Sequence, residues 1–250
     1  MGAFSGLKNV QIIILGLCIA VATVFSSFVI SKGMMQIKKF GNEVIEVTGS
    51  AEKEIVSDYI VWSSSFSCRD AKMISAFEQL NRDLEKAKKY LLTKGIKEEE
   101  IIVSQIQTSE YYKKNDKGGE TNQIEGYYLS QSIEVRSYDV KKVDDIARQS
   151  TELINQGVQF VSGTPEYFYT KLAELKVEML AKATENAKKR AETMAASTGN
   201  KIGLMRSARM GIFQITPVNS YDVSWYGNND TSSYEKKVTA VVNVDFGIAE

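Results

Sequence analysis

The side chains best equipped for chemistry are carboxylates, and Glu46, Glu52, Glu54 and Asp58 cluster near the start of the polar part of the chain. Two such groups held together can serve as general acid and base, which would make a hydrolase centred on Glu52 and Asp58. Spread along a strand edge and a turn, the same residues are merely solvated. Glu98, Glu99 and Glu100 form a second acidic group, but three consecutive acids cannot share one face, so they read as a solvated turn. The chain has no histidine. That excludes Ser–His and Cys–His nucleophilic pairs and removes the commonest metal ligand. No Gly-rich phosphate loop, Gly-x-Ser-x-Gly elbow or Cys-x-x-Cys pair is present. Of the two cysteines, Cys18 falls in an apolar run and Cys68 ends a strand pattern. They are not expected to pair, and Cys68 reads as a small buried hydrophobe.

A second set of residues suits binding rather than catalysis. The segment Pro217 to Tyr234 carries Tyr221, Trp225, Tyr226 and Tyr234 among Gly227, Asn228 and Asn229. Aromatic side chains with small polar neighbours are typical of recognition surfaces, here for a peptide or a glycan. The alternative is a long hairpin whose aromatics fold back on the domain. Asn229, Asp230 and Thr231 also match a glycosylation sequon, which matters only in a eukaryotic secretory setting.

Where these groups work is set by the amino-terminal sequence. From Val10 to Ile30 no residue is charged, and as a helix this run covers roughly 31 Å at about 1.5 Å per residue, enough to span a bilayer. A cleaved secretory signal has a shorter apolar core; Lys8 and Ala20, Val21, Ala22 can supply its charged start and cleavage site. The apolar stretch continues past that point to Ile30, which favours an uncleaved anchor. Lys8 competes with Lys32, Lys38 and Lys39 for the inside position, so charge alone does not orient the span. A short tail before a first apolar segment is most often retained inside, which places the domain outside the cytoplasm. Cys18, Ala22 and Ser26 recur every four residues and can let two anchors pack closely, or simply face lipid. The expected organisation is a tail over residues 1–9, the anchor over 10–30, a linker over 31–42 and one domain over 43–250. Thirty-one basic and thirty-one acidic residues cancel, so nothing favours nucleic acid.

The elements that must position these residues alternate between period two and helical spacing. Strands are expected at Val44 to Gly49 and at Tyr59 to Cys68, the latter with Ile60, Trp62, Phe66 and Cys68 on one face and Ser63, Ser65 and Ser67 on the other. That serine face suits a groove or subunit contact, or a solvated sheet. Apolar spacing predicts a helix over Asp70 to Lys94, capped by Asp70 and closed by Gly95. A strand from Ile101 to Tyr112, a polar hairpin tip over Lys113 to Glu125 and a strand from Tyr127 follow. The next helix starts at Asp139, with Val140, Val143, Ile146 and Ile154 inward, and Gly157 stops it before a strand over Val158 to Phe168. An Ala-rich helix over Thr170 to Ser197, a strand over Ile202 to Thr216 and a last strand containing Val238 to Ile248 complete the chain. The pattern is α+β, with two to three helices on a mixed or antiparallel sheet.

In this order the pieces resemble the SIMPL domain family of bacterial envelope proteins. The likeness rests on Ile45, Glu46, Val47, Thr48, Gly49, Ser50, Ala51 and Glu52, on Asp58, on Leu91, Leu92, Lys94, Gly95 and Ile96, and on Ile101. It continues through the Tyr127 to Val135 strand, Gly157, the helix with Ala181, Lys182, Ala183, Ala187, Ala191 and Ala195, and then Gly199, Ile202 and Gly203. Ser104 stands where many members have Thr, and Ser50 and Ala51 replace a commoner Gly. The resemblance implies an α+β domain, exported or anchored outside the cytoplasm, with no established enzymatic activity and no cofactor. The resulting expectation is a non-catalytic binding or assembly module of the cell envelope. Its partners would be the bilayer through residues 10–30, further copies of itself, and an envelope protein, peptide or glycan.

Overall fold

A computed structural model describes the chain from residue 3 to residue 249, with side chains described from 11 to 35 and from 43 onward. The apolar run forms α1 (Ala3–Asn42), so the expected linker over 31–42 continues the helix instead. Within it Gln11–Met35 is long and apolar enough to cross a membrane. Its apolar residues lie all round the circumference, and the large ones are 53–71 % exposed from Ile12 to Met35. None of the described residues covers them. The Thr23 hydroxyl, in mid-span, donates to the Ala20 carbonyl at 2.9 Å, so its polarity is met inside the helix. Cys18, Ala22 and Ser26 remain on the helix surface.

The remaining elements are β1 (Val44–Val56), β2 (Tyr59–Asp70), α2 (Met73–Thr93), β3 (Ile101–Val103), β4 (Gln107–Lys114), β5 (Glu120–Ser137) and α3 (Val140–Gln149). After these come β6 (Gln159–Ser162), β7 (Glu166–Phe168), α4 (Leu172–Ser197), β8 (Lys201–Met210), β9 (Gln214–Pro217) and β10 (Glu235–Ala249). They divide into two compact units, one made of residues 1–50, 181–211 and 241–250, the other of 51–180 and 212–240.

In the larger unit β3, β5, β2 and β6 lie side by side in that order, with β4 paired to β5 and β7 to β2, all antiparallel. The inward face of β2 carries Ile60, Trp62, Ser64, Phe66 and Cys68; that of β5 carries Leu129, Gln131, Ile133 and Val135. The apolar stripes of α2 (Ala76, Leu80, Ala87, Leu91) and α3 (Val140, Val143, Ile146, Ala147) join them in one core. The serines fall on the opposite face as expected, where Ser65 pairs with Ser132 and Ser67 with Ser130. Cys68 is buried and its thiol donates to the Ala76 carbonyl at 3.0 Å. Burial, and then the nearby Asp83 carboxylate, pushes its pKa up, the reverse of an activated nucleophile.

Several boundaries differ from expectation, each for a local reason. Asp70 does not cap α2; it accepts the Lys72 amide at 2.7 Å, a turn made ahead of the helix, and Lys72 occupies the cap without a side-chain bond. The strand expected over Ile101 to Tyr112 breaks at Ser104. There the Ser104 amide still reaches the Ser132 carbonyl at 2.9 Å, but the Ser104 hydroxyl takes the Ser132 amide and its carbonyl takes the Gln131 side chain, so side chains take over part of the ladder. Ile154 points outward, because residues 150–156 wind as a tighter 3-10 helix whose three-residue turn puts Ser150 and Leu153 inside. The strand over Val158 to Phe168 is interrupted at Gly163, where a Cβ would sit 2.4 Å from the Ser63 carbonyl oxygen, and at Pro165, which lacks an amide. Likewise Ile202 to Thr216 is two strands, β8 and β9.

In the smaller unit β8 pairs antiparallel with the carboxyl-terminal part of β10, and β1 borders the other side of β10. In this unit the buried stripe of α4 is Ala183, Ala187, Ala191 and Ala195, strict four-residue spacing, while Ala181 and Ala196 face out; the first turns of α4, with Leu175 and Met179 buried and Ala173 exposed, belong to the larger unit. Ala183 and Ala187 meet β1 at Gly49, where even a Cβ would come within 2.2 Å of the Ala183 carbonyl oxygen. The Ser50 amide bonds the Asn186 side chain at 3.2 Å, and Arg190 donates to the Thr48 carbonyl at 3.0 Å. Small residues thus let helix and strand backbones approach until polar groups lock their register.

Candidate functional site

A buried glutamine side chain holds the loop between β9 and β10 from below. Gln214, 7 % exposed, donates through Nε2 to the Ser224 carbonyl at 2.8 Å and accepts on Oε1 from the amides of Asn228 (2.9 Å) and Ser224 (3.3 Å). Ile215 continues the clamp: its amide reaches the Asn228 carbonyl at 2.8 Å and its carbonyl receives the Asp230 amide at 3.0 Å. The other edge of β9 pairs with β10, Ile215 opposite Val238. Gly227 turns the chain at φ +86°, and a Cβ there would press on Ile212 and the Phe213 carbonyl. The Asn228 side chain donates to the Asp222 carbonyl at 3.2 Å.

On this fixed backbone Tyr221, Val223, Trp225 and Tyr226 stand 81–97 % exposed. Lys237 lies over the Tyr221 ring, 5.0 Å from its centroid. Beside them Ser220, Asp222, Asn228, Asn229 and Asp230 line a polar hollow of about 300 Å³, floored by β9. None of the aromatic rings borders that hollow.

Beneath the loop lies a polar cluster absent from the sequence expectation. Lys236 is 3 % exposed, and its ammonium donates to the carbonyls of Tyr167 and Asp230. Burial pushes its pKa down, with the Asp230 charge opposing. Burial by itself would raise Asp230, but hydrogen bonds from Ser232 and Ser233 and the Lys236 charge hold its carboxyl below the usual range. The signal for Lys236 lies in the alternation of β10, because counting back by twos from Val242, Ala240 and Val238 reaches it on the inward face.

The SIMPL family model, described as a protein of unknown function (DUF541), matches residues 45–246. The chain belongs to the SIMPL family. A search of the curated proteins finds no match. The SIMPL match begins just beyond α1 and takes in the aromatic loop, so the membrane-competent helix is an amino-terminal addition to the SIMPL domain.

Within this SIMPL domain the candidate residues separate by role. Tyr221, Trp225 and Tyr226 stand together on the surface of the loop, while Asn228 serves its scaffold. Tyr234, grouped with them in the sequence, instead packs edge-on against Tyr167 at 6.0 Å, and its carbonyl accepts the Ser57 amide. It belongs to the domain body. Among the carboxylates, Glu46, Glu52 and Glu54 lie exposed along β1. Asp58 is committed elsewhere: its two oxygens accept the Thr170 amide at 2.7 Å and hydroxyl at 2.8 Å, just before α4. Asp58→Ala should therefore cost about 1–2 kcal/mol, as loss of a helix cap does, whereas Glu52→Ala should stay within about 0.5 kcal/mol. Urea unfolding of the two variants compares them. Among the described residues no group of three or more His, Cys, Asp or Glu side chains is placed to hold a metal ion.

Tyr167 gives the domain a pH signature. Burial, followed by its hydrogen bond to the Asp144 carboxylate at 2.7 Å, pushes its pKa from 10.0 up to about 12. The neutral phenol is the form favoured by folding, so its contribution is complete below pH 10 and is lost as pH rises through about 12. Tyr167→Phe should lower stability at neutral pH by about 1.5–3 kcal/mol, the range for a hydrogen bond to a charged group. It should also flatten the alkaline fall between pH 10 and about 12 in denaturation curves.

Proposed function

We propose that this SIMPL protein is a single-pass, membrane-anchored module whose domain stands outside the cytoplasm and works by binding rather than by catalysis. The observation that supports the reading is the bare apolar surface of Gln11–Met35, of the length and composition that a bilayer covers. The rigid aromatic loop supplies a recognition surface, and the buried Cys68 and the occupied Asp58 leave the hydrolase reading little to work with. Alkaline carbonate washing of membranes tests the anchor. Retention of the full-length chain is the expected result; a soluble chain shortened at its amino terminus would instead mark the helix as a cleaved signal.

Self-association belongs to the same proposal. β8 is the last named strand beside β10, and it leaves Leu204, Met205 and Met210 exposed. An apolar strand edge of this kind is a template for pairing with another chain. Crosslinking of the detergent-solubilised chain should trap dimers or larger species, and Leu204→Lys should reduce them. A monomer in both cases would refute self-association through β8.

A further inference from the structure

We propose that the loop tip formed by Tyr221, Val223, Trp225 and Tyr226 is a second membrane contact, one that seats the rings in the headgroup layer of the bilayer. The proposal rests on the anchor reading above. Three features of the tip select a lipid interface over a soluble ligand.

First, the side chains protrude. At 81–97 % exposure they stand almost clear of the domain, which suits a medium that deforms around them. A sugar site would need its stacking ring beside its hydrogen-bonding groups. Here the polar hollow is lined without any of the rings, the Asn228 side chain is spent on the Asp222 carbonyl, and Asp222 and one oxygen of Asp230 accept from the neighbouring serines.

Second, the types fit. Tyrosine and tryptophan join an apolar ring to one polar group and concentrate at membrane–water boundaries. Lys237, set over the Tyr221 ring, places an ammonium at the edge of the tip, where a long amphipathic side chain can reach lipid phosphates. The one acid between Tyr221 and Tyr226 is Asp222, so the tip carries no strong net charge and has no requirement for anionic lipid.

Third, the presentation is fixed in advance. The Gln214 clamp and the Gly227 turn hold the backbone, so little ordering entropy opposes insertion. An anchor that ties the chain to the bilayer makes this contact intramolecular, and a weak loop contact then suffices.

Fluorescence gives a direct test, because Trp62 and Trp225 are the two tryptophans and Trp62 is buried at 1 % exposure. The full chain is reconstituted in phosphatidylcholine vesicles brominated near the top of one acyl chain. The Trp225 signal is taken as the difference between the native chain and Trp225→Phe. Emission at shorter wavelength than in detergent-free buffer and quenching by about half are expected, as for a ring in the interface. The quenching should persist in high salt and should not need anionic lipid. Firm retention in vesicles with Trp225 open to aqueous iodide and untouched by bromine would overturn the loop contact alone. Release of the chain by alkaline carbonate would overturn the anchor and this proposal with it. Shielding of Trp225 by soluble chitooligosaccharide in lipid-free detergent, without bromine quenching, would overturn it in favour of a glycan platform.

Discussion

Gly49→Ala is expected to destabilise the protein by about 3 kcal/mol or more, at or beyond the usual range for overpacking a well-filled site. The added methyl would sit 2.2 Å from the Ala183 carbonyl oxygen and 2.6 Å from both the Ala187 amide nitrogen and its Cβ. Two of those three neighbours are backbone, so no rotamer change relieves the clash. The hydrogen bonds from Ser50 to Asn186 and from Arg190 to Thr48 hold strand and helix in register and oppose a slide. Ala187→Gly clears the Cβ and leaves the two backbone contacts, so the double variant should regain little. Thermal unfolding followed by circular dichroism measures both effects. A Gly49→Ala protein as stable as the native chain would show that α4 and β1 are less closely apposed than described.

Gln214→Leu should be the most damaging change to the candidate site that leaves every surface residue in place. The leucine fills a similar volume but removes three hydrogen bonds at once, leaving the Ser224 amide and carbonyl and the Asn228 amide without partners. Unmet polar groups at a partly buried site cost about 1–3 kcal/mol each, and water can recover part of that, so about 2–4 kcal/mol is expected locally. The consequence for function is larger than for global stability, because the tip loses its fixed presentation while Tyr221, Trp225 and Tyr226 are retained. Hydrogen exchange at Ser224 and Asn228 should accelerate strongly, with little change in the β2 and β5 core. In the same vesicles Trp225 quenching should weaken. Unchanged exchange at both amides would mean that another contact holds the loop.

The elements whose apolar spacing is long and regular were legible in the sequence, for a physical reason. The inward faces of β2, β5 and β10 follow strict alternation, and α2 follows the helical period until Gly95 at φ +86° ends it. Boundaries set by a single side-chain bond were not. Ser104 taking the Ser132 amide splits a strand, and Asp70 bonding Lys72 leaves α2 without the cap that its position suggests. The outward turn of Ile154 is hidden in the sequence because apolar residues at helical spacing do not reveal a switch to three residues per turn. For the candidate site, Tyr221, Trp225 and Tyr226 could be named from composition, since loops of this make-up present aromatics. Which aromatic turns inward depends on a tertiary partner: Tyr234 meets Tyr167, far away in the chain. Gln214 and Lys236 act through backbone groups brought close only by folding, and no local motif marks that role beyond the inward phase of β10.

One thiol tests the proposal that the SIMPL domain is held at a membrane and stands outside the cytoplasm. Lys117 lies in the exposed turn between β4 and β5, and Lys117→Cys adds a reactive group there without disturbing a buried contact. The native cysteines provide a silent background, Cys68 because it is buried and Cys18 because it lies within the Gln11–Met35 segment. Intact cells expressing the full chain are treated with a membrane-impermeant maleimide. Labelling of the Lys117→Cys protein before lysis, with none of the native chain, is the predicted result. Labelling only after lysis would place the domain inside and contradict the account.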